Sequence, residues 1–485
     1  MNHYQILCTF QGNGAIDVYK KQPNTQLSFD DFNQPVGLTM NPENRWVKKA
    51  ELIPWIDLEE QYASIFQSKT GNVAKSFRMA FGALLIQKEY GYSDEETVLQ
   101  IQENPYLQFF VGMPGYQEDK PFDASTMVHF RKRLTAEMLN EVNEIILDFH
   151  EEEKEEQDDD DSNDDGDSSN KGTLMLDATC APSYIKYPQD IGLLNDARLH
   201  AEKIIDEVCK ENNIKKPRTY RRRARKDYLS IAKRKKKSKK IIRKAIRKQL
   251  SYVTRDVRYI KEMQKSGIEL NEKQTRNFDI IERILEQQQY MYDNKIHRVP
   301  ERIVSFHQSY LRPIVRGKVK APTEFGAKLD MSESDGFVRI ERLSFDAFNE
   351  SEDLIPVIKR YRERTGYYPE RVLVDQIYRT RDNRNFCKKY HIRLSGPKLG
   401  RPKKDDRVDK TIEYKDNRDR IQVERDFSLA KRCHGLGMIR TRLAETTFST
   451  IALAIVSLNL SKIQRNFLRA LFDRNFRSFF RASSI

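Results

Sequence analysis

Leu174-Met175-Leu176-Asp177 and, far downstream, Val372-Leu373-Val374-Asp375 share one pattern: three apolar residues closed by an aspartate. A short apolar run ended by an acid reads as a buried strand that carries a carboxylate to the edge of a sheet. A third acid, Glu424, stands on a helical stretch between Arg420 and Lys431. Two strand-borne aspartates and one helix-borne glutamate form the expected centre of the molecule, and the rest of the chain is read around them.

Strand signals fill the interval from Arg312 to Phe345. There Glu324-Phe325-Gly326-Ala327-Lys328-Leu329 and Phe337-Val338-Arg339-Ile340 flank the turn-like Ser332-Glu333-Ser334-Asp335-Gly336, which predicts a β-hairpin. A helix is expected near Leu354 to Thr365, then the Asp375 strand, then a short strand at Ile392-Arg393-Leu394. A charged loop from Lys398 to Asp419 leads to the Glu424 helix, and an apolar helix around Phe448 to Leu460 follows. Strand, hairpin, helix, strand, strand, helix is the order of a ribonuclease H-like mixed α/β sheet, assigned to residues 172–450, with 451–485 as a C-terminal helix and basic tail.

The first strand is separated from the hairpin by a long insertion, about 200–305. After a helix-like stretch from Leu193 to Lys203 the chain is strongly basic from Lys215 to Lys248. Ile242, Ile246, Leu250, Val253, Val257 and Ile260 keep a helical seam, and Phe278, Ile281 and Leu285 keep a second one beyond Ser266-Gly267. Two long antiparallel helices, basic outside, are predicted as a helical hairpin. Arg221, Arg222, Arg223 and Lys235 are its candidate phosphate-binding residues; a solvated arm or an oligomerising coiled coil is the alternative.

Upstream, residues 1–45 read as an N-terminal extension and 46–150 as an all-α domain. Phe77, Ala80, Phe81, Leu84 and Leu85 recur at the spacing of one buried helix face. Ser93 and Glu96 form a capping box whose helix stops near Asn104-Pro105, and Asp123 or Ser125 caps a helix bearing His129, Arg131, Lys132 and Arg133. Short helices ending in a basic one resemble a helix-turn-helix reader, with Arg131 and Arg133 as its candidate contacts; a solvated basic face is the alternative. Residues 151–171 are nearly all acid, Ser, Asn or Gly and read as a disordered linker.

Composition agrees with a polyanionic partner. The 485 residues carry a formal net charge of +14 and a pI near 9.3, for which DNA or RNA is the default. Cys8, Cys180, Cys209, Cys387 and Cys433 are scattered without a CxxC pair, as expected in a reducing cytoplasm. Met1-Asn2-His3 does not open a signal peptide. The run Ile451–Leu460, interrupted by Ser457 and Asn459, reads as too short to span a bilayer, so no membrane partner is expected.

Phosphodiester chemistry with two metal ions needs ligands that hold both ions about 3.5–4 Å apart. Magnesium keeps waters and substrate phosphate in most of its positions and takes few carboxylates. Asp177 would bridge both ions, with Asp375 and Glu424 each serving mainly one. Arg420, Glu424, Phe427 and Lys431 stand at i, i+4, i+7 and i+11, along one helix face. Phe427 anchors that face to the sheet, Glu424 points to the metals, and Arg420 and Lys431 flank it as phosphate ligands. An ordinary ion-paired helix surface is the alternative.

The spacing from Arg420 through Glu424 to Lys431 resembles the signature around the catalytic glutamate of bacterial insertion-sequence DDE transposases, most of all the group named after insertion sequence five. Leu176-Asp177-Ala178-Thr179-Cys180, then Tyr187-Pro188-Gln189-Asp190 and Leu193-Leu194-Asn195-Asp196-Ala197-Arg198, are similar to that family's first-Asp block. Val374-Asp375-Gln376-Ile377-Tyr378-Arg379-Thr380-Arg381 and Leu394-Ser395-Gly396-Pro397 are similar to its second-Asp block, and Trp46 to Leu134 to its N-terminal domain. Related groups carry a Tyr three residues before the Arg, where this chain has Asn417. The resemblance implies cut-and-paste transposition: metal-assisted hydrolysis at each inverted-repeat end, then attack of the freed 3′ hydroxyl on target DNA. It implies Asp177, Asp375 and Glu424 as catalytic and metal-binding residues, two Mg2+ ions with Mn2+ as a substitute, and a homodimer or larger assembly on DNA. It also implies a cytoplasmic, nucleoid-associated protein whose N-terminal domain binds the ends or pairs subunits. A catalytically silent DNA-binding regulator and a ribonuclease H-like nuclease without strand transfer are the competing expectations.

Overall fold

The structure, a computed structural model, describes residues 26–64, 66, 73–158, 170–315, 323–396 and 410–482. Residues 1–25 of the extension, 159–169 of the acidic stretch and 398–409 of the charged loop lie outside the described residues. Strands β1 (Thr173–Pro182), β2 (Arg312–Val315), β3 (Thr323–Ser334), β4 (Phe337–Ser344), β5 (Arg371–Val374) and β6 (Arg393–Leu394) form one mixed sheet. The long β3 lies antiparallel to β1, and its outer edge is shared end to end by β2 and β4. On the other side of β1, β5 and β6 run parallel to it. Four antiparallel strands in three positions, followed by two parallel ones, is the order expected of a ribonuclease H-like sheet.

The predicted hairpin is present with a tighter turn. Ser332, Glu333 and Ser334 are paired in β3, and only Asp335 and Gly336 turn, with φ of 55° and 85°. Two successive left-handed residues match the twist of the flanking strands, which is why Asp-Gly closes the ladder up to Ser334 and Phe337.

Seven helices precede the sheet among the described residues: α1 (Arg45–Glu51), α2 (Trp55–Ala63), α3 (Phe77–Tyr90), α4 (Asp94–Glu103), α5 (Pro105–Phe110), α6 (Thr126–Arg133) and α7 (Ala136–Asp158). The Ser93 side chain caps α4 by accepting from Glu96 N, and Asn104 caps α5 with Pro105 at its first position. Phe32 and Met40 pack into the same core, so the described end of the extension belongs to it. The acidic stretch begins as helix, since α7 runs to Asp158. Glu and Lys are good helix formers, and the strong α7 amphipathic stripe before them carries the helix on.

The insertion contains four helices, α8 (Asp190–Glu211), α9 (Arg221–Ala232), α10 (Lys239–Lys265) and α11 (Glu272–Asn294). The α10–α11 hairpin turns after Lys265 as predicted, but its apolar seam is closed by a third helix. Leu194, Ala201, Ile205 and Val208 of α8 pack on Leu250, Val253, Val257 and Ile260 of α10 and on Phe278 and Ile281 of α11.

Helices α12 (Leu354–Thr365) and α13 (Arg381–Lys389) cover one face of the sheet, and α14 (Lys410–Cys433) and α15 (Ala444–Ala482) the other. The expected charged loop ends early, because residues 410–419 are already helical. The helix α15 starts before the expected boundary and is not a separate tail. Ala452, Leu453, Val456, Leu460 and Ile463 complete the core of the N-terminal helices, while Ile451, Ala454, Ile455 and Leu458 pack under the sheet. A helix buried on both sides is apolar all round. This explains why 444–469 is long and apolar enough to cross a membrane by length and composition while 78% of its apolar window is buried inside the protein. The sequence reading of this stretch as short is corrected accordingly.

The two polar interruptions are the joints of α15. Asn459 donates to Val338 O (2.7 Å) and Asn143 Oδ1 (2.8 Å) and accepts from Val338 N (3.0 Å), tying α15 to β4 and α7. Ser457 Oγ bonds His434 Nδ1 at 2.9 Å. The N-terminal helices therefore do not close a core alone. Leu458→Ala, on the sheet side of α15, is expected to cost about 2–5 kcal/mol. The chain's two tryptophans, Trp46 and Trp55, lie in the other core. Their urea transition should shift to lower midpoint in the variant; an unchanged tryptophan transition means that the two cores unfold independently.

Candidate active site

Side chains alternate across a strand, and the cores show which way. On β1, Leu174 and Leu176 face α12 and α13, while Met175 and Ala181 face α14 and α15. Asp177 and Thr179 therefore fall on the α14 side. On β5, Val372 and Val374 face α12 while Leu373 faces α14, which puts Asp375, still extended at φ −67° and ψ 164°, on the α14 side as well. The parallel register pairs Leu176 with Val374, so Asp177 and Asp375 come next in line on strands about 4.8 Å apart.

Helix α14 lies across this pair. Val423, Phe427 and Ala430 are buried against the sheet. Arg420 Nη1 forms an ion pair with Asp375 Oδ1, and Lys431 Nζ donates to Thr179 Oγ1 at 2.9 Å. Glu424, exposed, sits one turn past Arg420 on the stripe that these contacts aim at the sheet. The predicted face of Arg420, Glu424, Phe427 and Lys431 is thus present, and its two cations have protein partners. Asp177 Oδ1 accepts from Ala178 N at 2.8 Å.

Asp177 and Asp375 share the α14 side of the sheet and Glu424 lies on α14, but the three acids do not close into a ligand cluster. Among the described residues no group of three or more His, Cys, Asp and Glu side chains is placed to hold a metal ion. The guanidinium of Arg420 supplies the positive charge beside Asp375. The donor set itself suits a hard divalent cation: carboxylate oxygens from two strands and a helix, with the Asp375 side chain 52% exposed.

The segment after Asp375 is braced by residues of the second-Asp block, together with Asp330 and Asn383, for which sequence reading assigned no such role. Asp375 precedes a 3-10 turn, Gln376–Tyr378. Tyr378 Oη donates to Asp330 Oδ1 (2.9 Å), Asn383 Nδ2 to Tyr378 O (2.7 Å) and Arg379 Nη2 to Val374 O (2.9 Å). Ser395 Oγ accepts from Val374 N (3.1 Å). Gly396 has φ +91°, and a Cβ there would strike the Arg379 guanidinium. Asp330 pairs with Ala178 across the β1–β3 ladder and is fully buried. Burial, with Asp353, Glu350 and Glu341 nearby, pushes its pKa from 3.8 to about 8. The one available signal was an acid between Leu329 and Met331, two positions of a buried strand face.

Several basic residues proposed from sequence are internally committed. Arg131 forks onto Asp94 (2.9 and 2.5 Å) and donates to Gln87 Oε1 (3.0 Å), joining α6 to α4 and α3. Arg133 lies over the Phe66 ring at 5.2 Å. Arg221 makes a two-pronged bond to Asp206, both arms at 2.8 Å, fixing α9 to α8. Each of the three thus has a partner within the protein. Arg222, Arg223 and Lys235 are exposed.

Comparison with known proteins fits this geometry. Residues 372–461 match a family model described as a transposase DDE domain, and residues 38–133 match one described as a transposase domain (DUF772). The first covers β5 through the shared part of α15, hence Asp375 and Glu424, while Asp177 lies outside it. A stretch of 113 residues is 34% identical to an uncharacterized protein, ORF8 in the nfe locus of Rhizobium meliloti, over 23% of this chain and 54% of that protein. The chain thus spans about half the length of that relative. No solved structure matches. The two domain matches support a transposase function.

Asp330 yields a sign-definite prediction. Near pH 4 and below, folded and unfolded chains both hold the proton. From there to about pH 8 the unfolded chain releases a proton that the folded one keeps, so stability falls as pH rises and then levels off. Asp330→Asn keeps an acceptor for Tyr378 and removes this contribution. Thermal denaturation should show the variant gaining on the wild type as pH rises, with little difference at the acid end.

Proposed function

We propose that this chain is a DDE transposase of the insertion-sequence-five type, cutting DNA at the inverted-repeat ends of its element and joining them to target DNA. The observation that carries the reading is the side-by-side placement of Asp177 and Asp375 under α14, in a chain whose residues 372–461 match a transposase DDE domain. Asp177, Asp375 and Glu424 are the residues that would hold Mg2+ (or Mn2+), two ions in the full site. When bound, such ions supply Lewis acidity for in-line displacement at phosphorus. Arg420 and Lys431, beside Asp375 and Thr179, would take phosphate oxygens. In the first step water attacks the phosphodiester and the 3′ oxygen leaves; in the second, that 3′ hydroxyl attacks a target phosphodiester and displaces its 3′ oxygen. No covalent protein nucleophile is needed, since positioning and charge stabilisation account for such transfers. Two ends handled together call for a dimer or larger assembly on DNA, acting in the cytoplasm at the nucleoid.

With duplexes from the DNA that flanks the gene, Asp177→Ala, Asp375→Ala and Glu424→Ala should each lower magnesium-dependent cleavage at least about a hundredfold and leave DNA binding intact. Undiminished cleavage in any variant removes that residue from the site. Wild-type chain that shifts the DNA without nicking it is a silent binder, and nicking without joined products marks a hydrolase.

Charge reversal at Arg222, Arg223 and Lys235 should weaken DNA binding and flatten the salt dependence by roughly one unit of slope per lost phosphate contact. Arg221→Glu should instead destabilise the helical insertion, as seen by denaturation, because it opposes Asp206.

A further inference from the structure

Beyond the end of β1 the chain forms a cavity of about 360 Å3 between the β1–α8 connection and the segment that enters β2. Tyr184, Lys186, Tyr187, Asp196, His307 and Arg442 are among its lining residues. Tyr184 and Tyr187 are 66% and 72% exposed, although a tyrosine this open exposes apolar ring surface to water. Tyr187 is held edge-to-face against Phe325 at 5.8 Å. The backbone of Tyr184 donates to Ile439 O at 2.7 Å, and Ser183 bridges to Ile439. Both rings are therefore carried on fixed backbone.

The surroundings lead from the acids to this cavity. Lys431 of α14 reaches Thr179, and Arg440 and Arg442 are exposed on the segment after α14, whose Ile439 bridges to Ser183. Lys431 at Thr179, Arg440 next to the Ser183–Ile439 bridge and Arg442 in the cavity wall, together with two open aromatic rings, combine the parts of a single-strand nucleic acid groove: charge to track phosphates and rings on which bases stack. The polar edges of Asp196, His307 and Gln189 within the same wall supply hydrogen-bonding groups for a base edge.

We propose that the cavity at Tyr184 and Tyr187 takes one unstacked base of the bound DNA strand. This rests on the reading of the chain as a DNA-processing enzyme. Tyr184 lies seven residues beyond Asp177, which is about 23 Å of extended strand and about seven phosphate steps along a DNA strand. The site is thus separate from the cleavage centre and grips DNA away from the cut.

The test is fluorescence anisotropy of the full chain with a labelled oligothymidylate of about twelve nucleotides and with an abasic oligomer of equal length. Stacking should make the wild type bind oligothymidylate at least about fivefold more tightly. Tyr184→Ala and Tyr187→Ala should erase that preference and leave abasic binding unchanged, and the Tyr→Phe versions should restore it. Both side chains are mostly exposed, so these variants leave the cores intact. Equal wild-type affinity for the two oligomers overturns the stacking site while the backbone-binding reading stands. Thymidine monophosphate that competes as well as the oligomer makes this a free-nucleotide pocket and also overturns it. Failure to bind either oligomer or duplex overturns this proposal together with the reading it rests on.

Discussion

The parallel pairing of β1 with β5 is the constraint on which the rest of the architecture depends. A slip of one residue in that register turns a carboxylate to the α12 side, and with it the shared pocket is lost. The register is held by apolar side chains on both faces: Leu174, Leu176, Val372 and Val374 on one, Met175 and Leu373 on the other. A strand pair buried on both sides has no polar face to expose, so sliding it would bury Asp177 or Asp375 among aliphatic groups. The same burial that builds the sheet therefore aims the acids.

The helix that completes the site is held less by its own preference than by what it touches. Residues 410–433 are rich in charge, and only Val423, Phe427 and Ala430 give α14 a fully buried apolar stripe. Its position is specified by polar ties: Arg420 to Asp375, Lys431 to Thr179, and Asp426 to Lys462 of α15 at 2.7 Å. Asp426 is fully buried, and Lys462 also donates to Gly336 O at 2.7 Å, so this tie joins α14, α15 and the hairpin turn. Buried ion pairs contribute little net stability but tolerate few alternative arrangements. Here the one buried pair among these ties, Asp426 with Lys462, fixes α14 against α15.

Much of this was legible in sequence, and the parts that were not share a cause. Short apolar runs ended by Asp177 and Asp375 announced strands, although β1 runs on past Asp177 to Pro182; Ser332 to Gly336 announced a turn that is confined to Asp335-Gly336; and the α10 and α11 seams announced packed helices. Each of these is a local pattern with one physical reading. Partners distant in sequence were not readable. Nothing near Arg131 shows that Asp94 will claim it, and nothing near Arg221 distinguishes it from Arg222, although one is bonded to Asp206 and the other is open. The all-round apolarity of 451–460 was visible, but it did not say that two different cores divide the helix between them. Likewise Tyr378 and Asp330 became partners only once β3 was laid beside β1. The candidate site was therefore legible as three carboxylates and a helix face, and its braces and its occupied cations were not.

The division of α15 between two cores has a consequence for biosynthesis. Helices α1 to α7 leave the ribosome early, yet their hydrophobic interior still lacks Ala452, Leu453, Val456, Leu460 and Ile463. Until translation has passed Ile463, the nascent chain carries an unfinished apolar groove that other proteins or a second copy of α15 can enter. Maturation of helices α1 to α7 thus waits on α15, which is made after them.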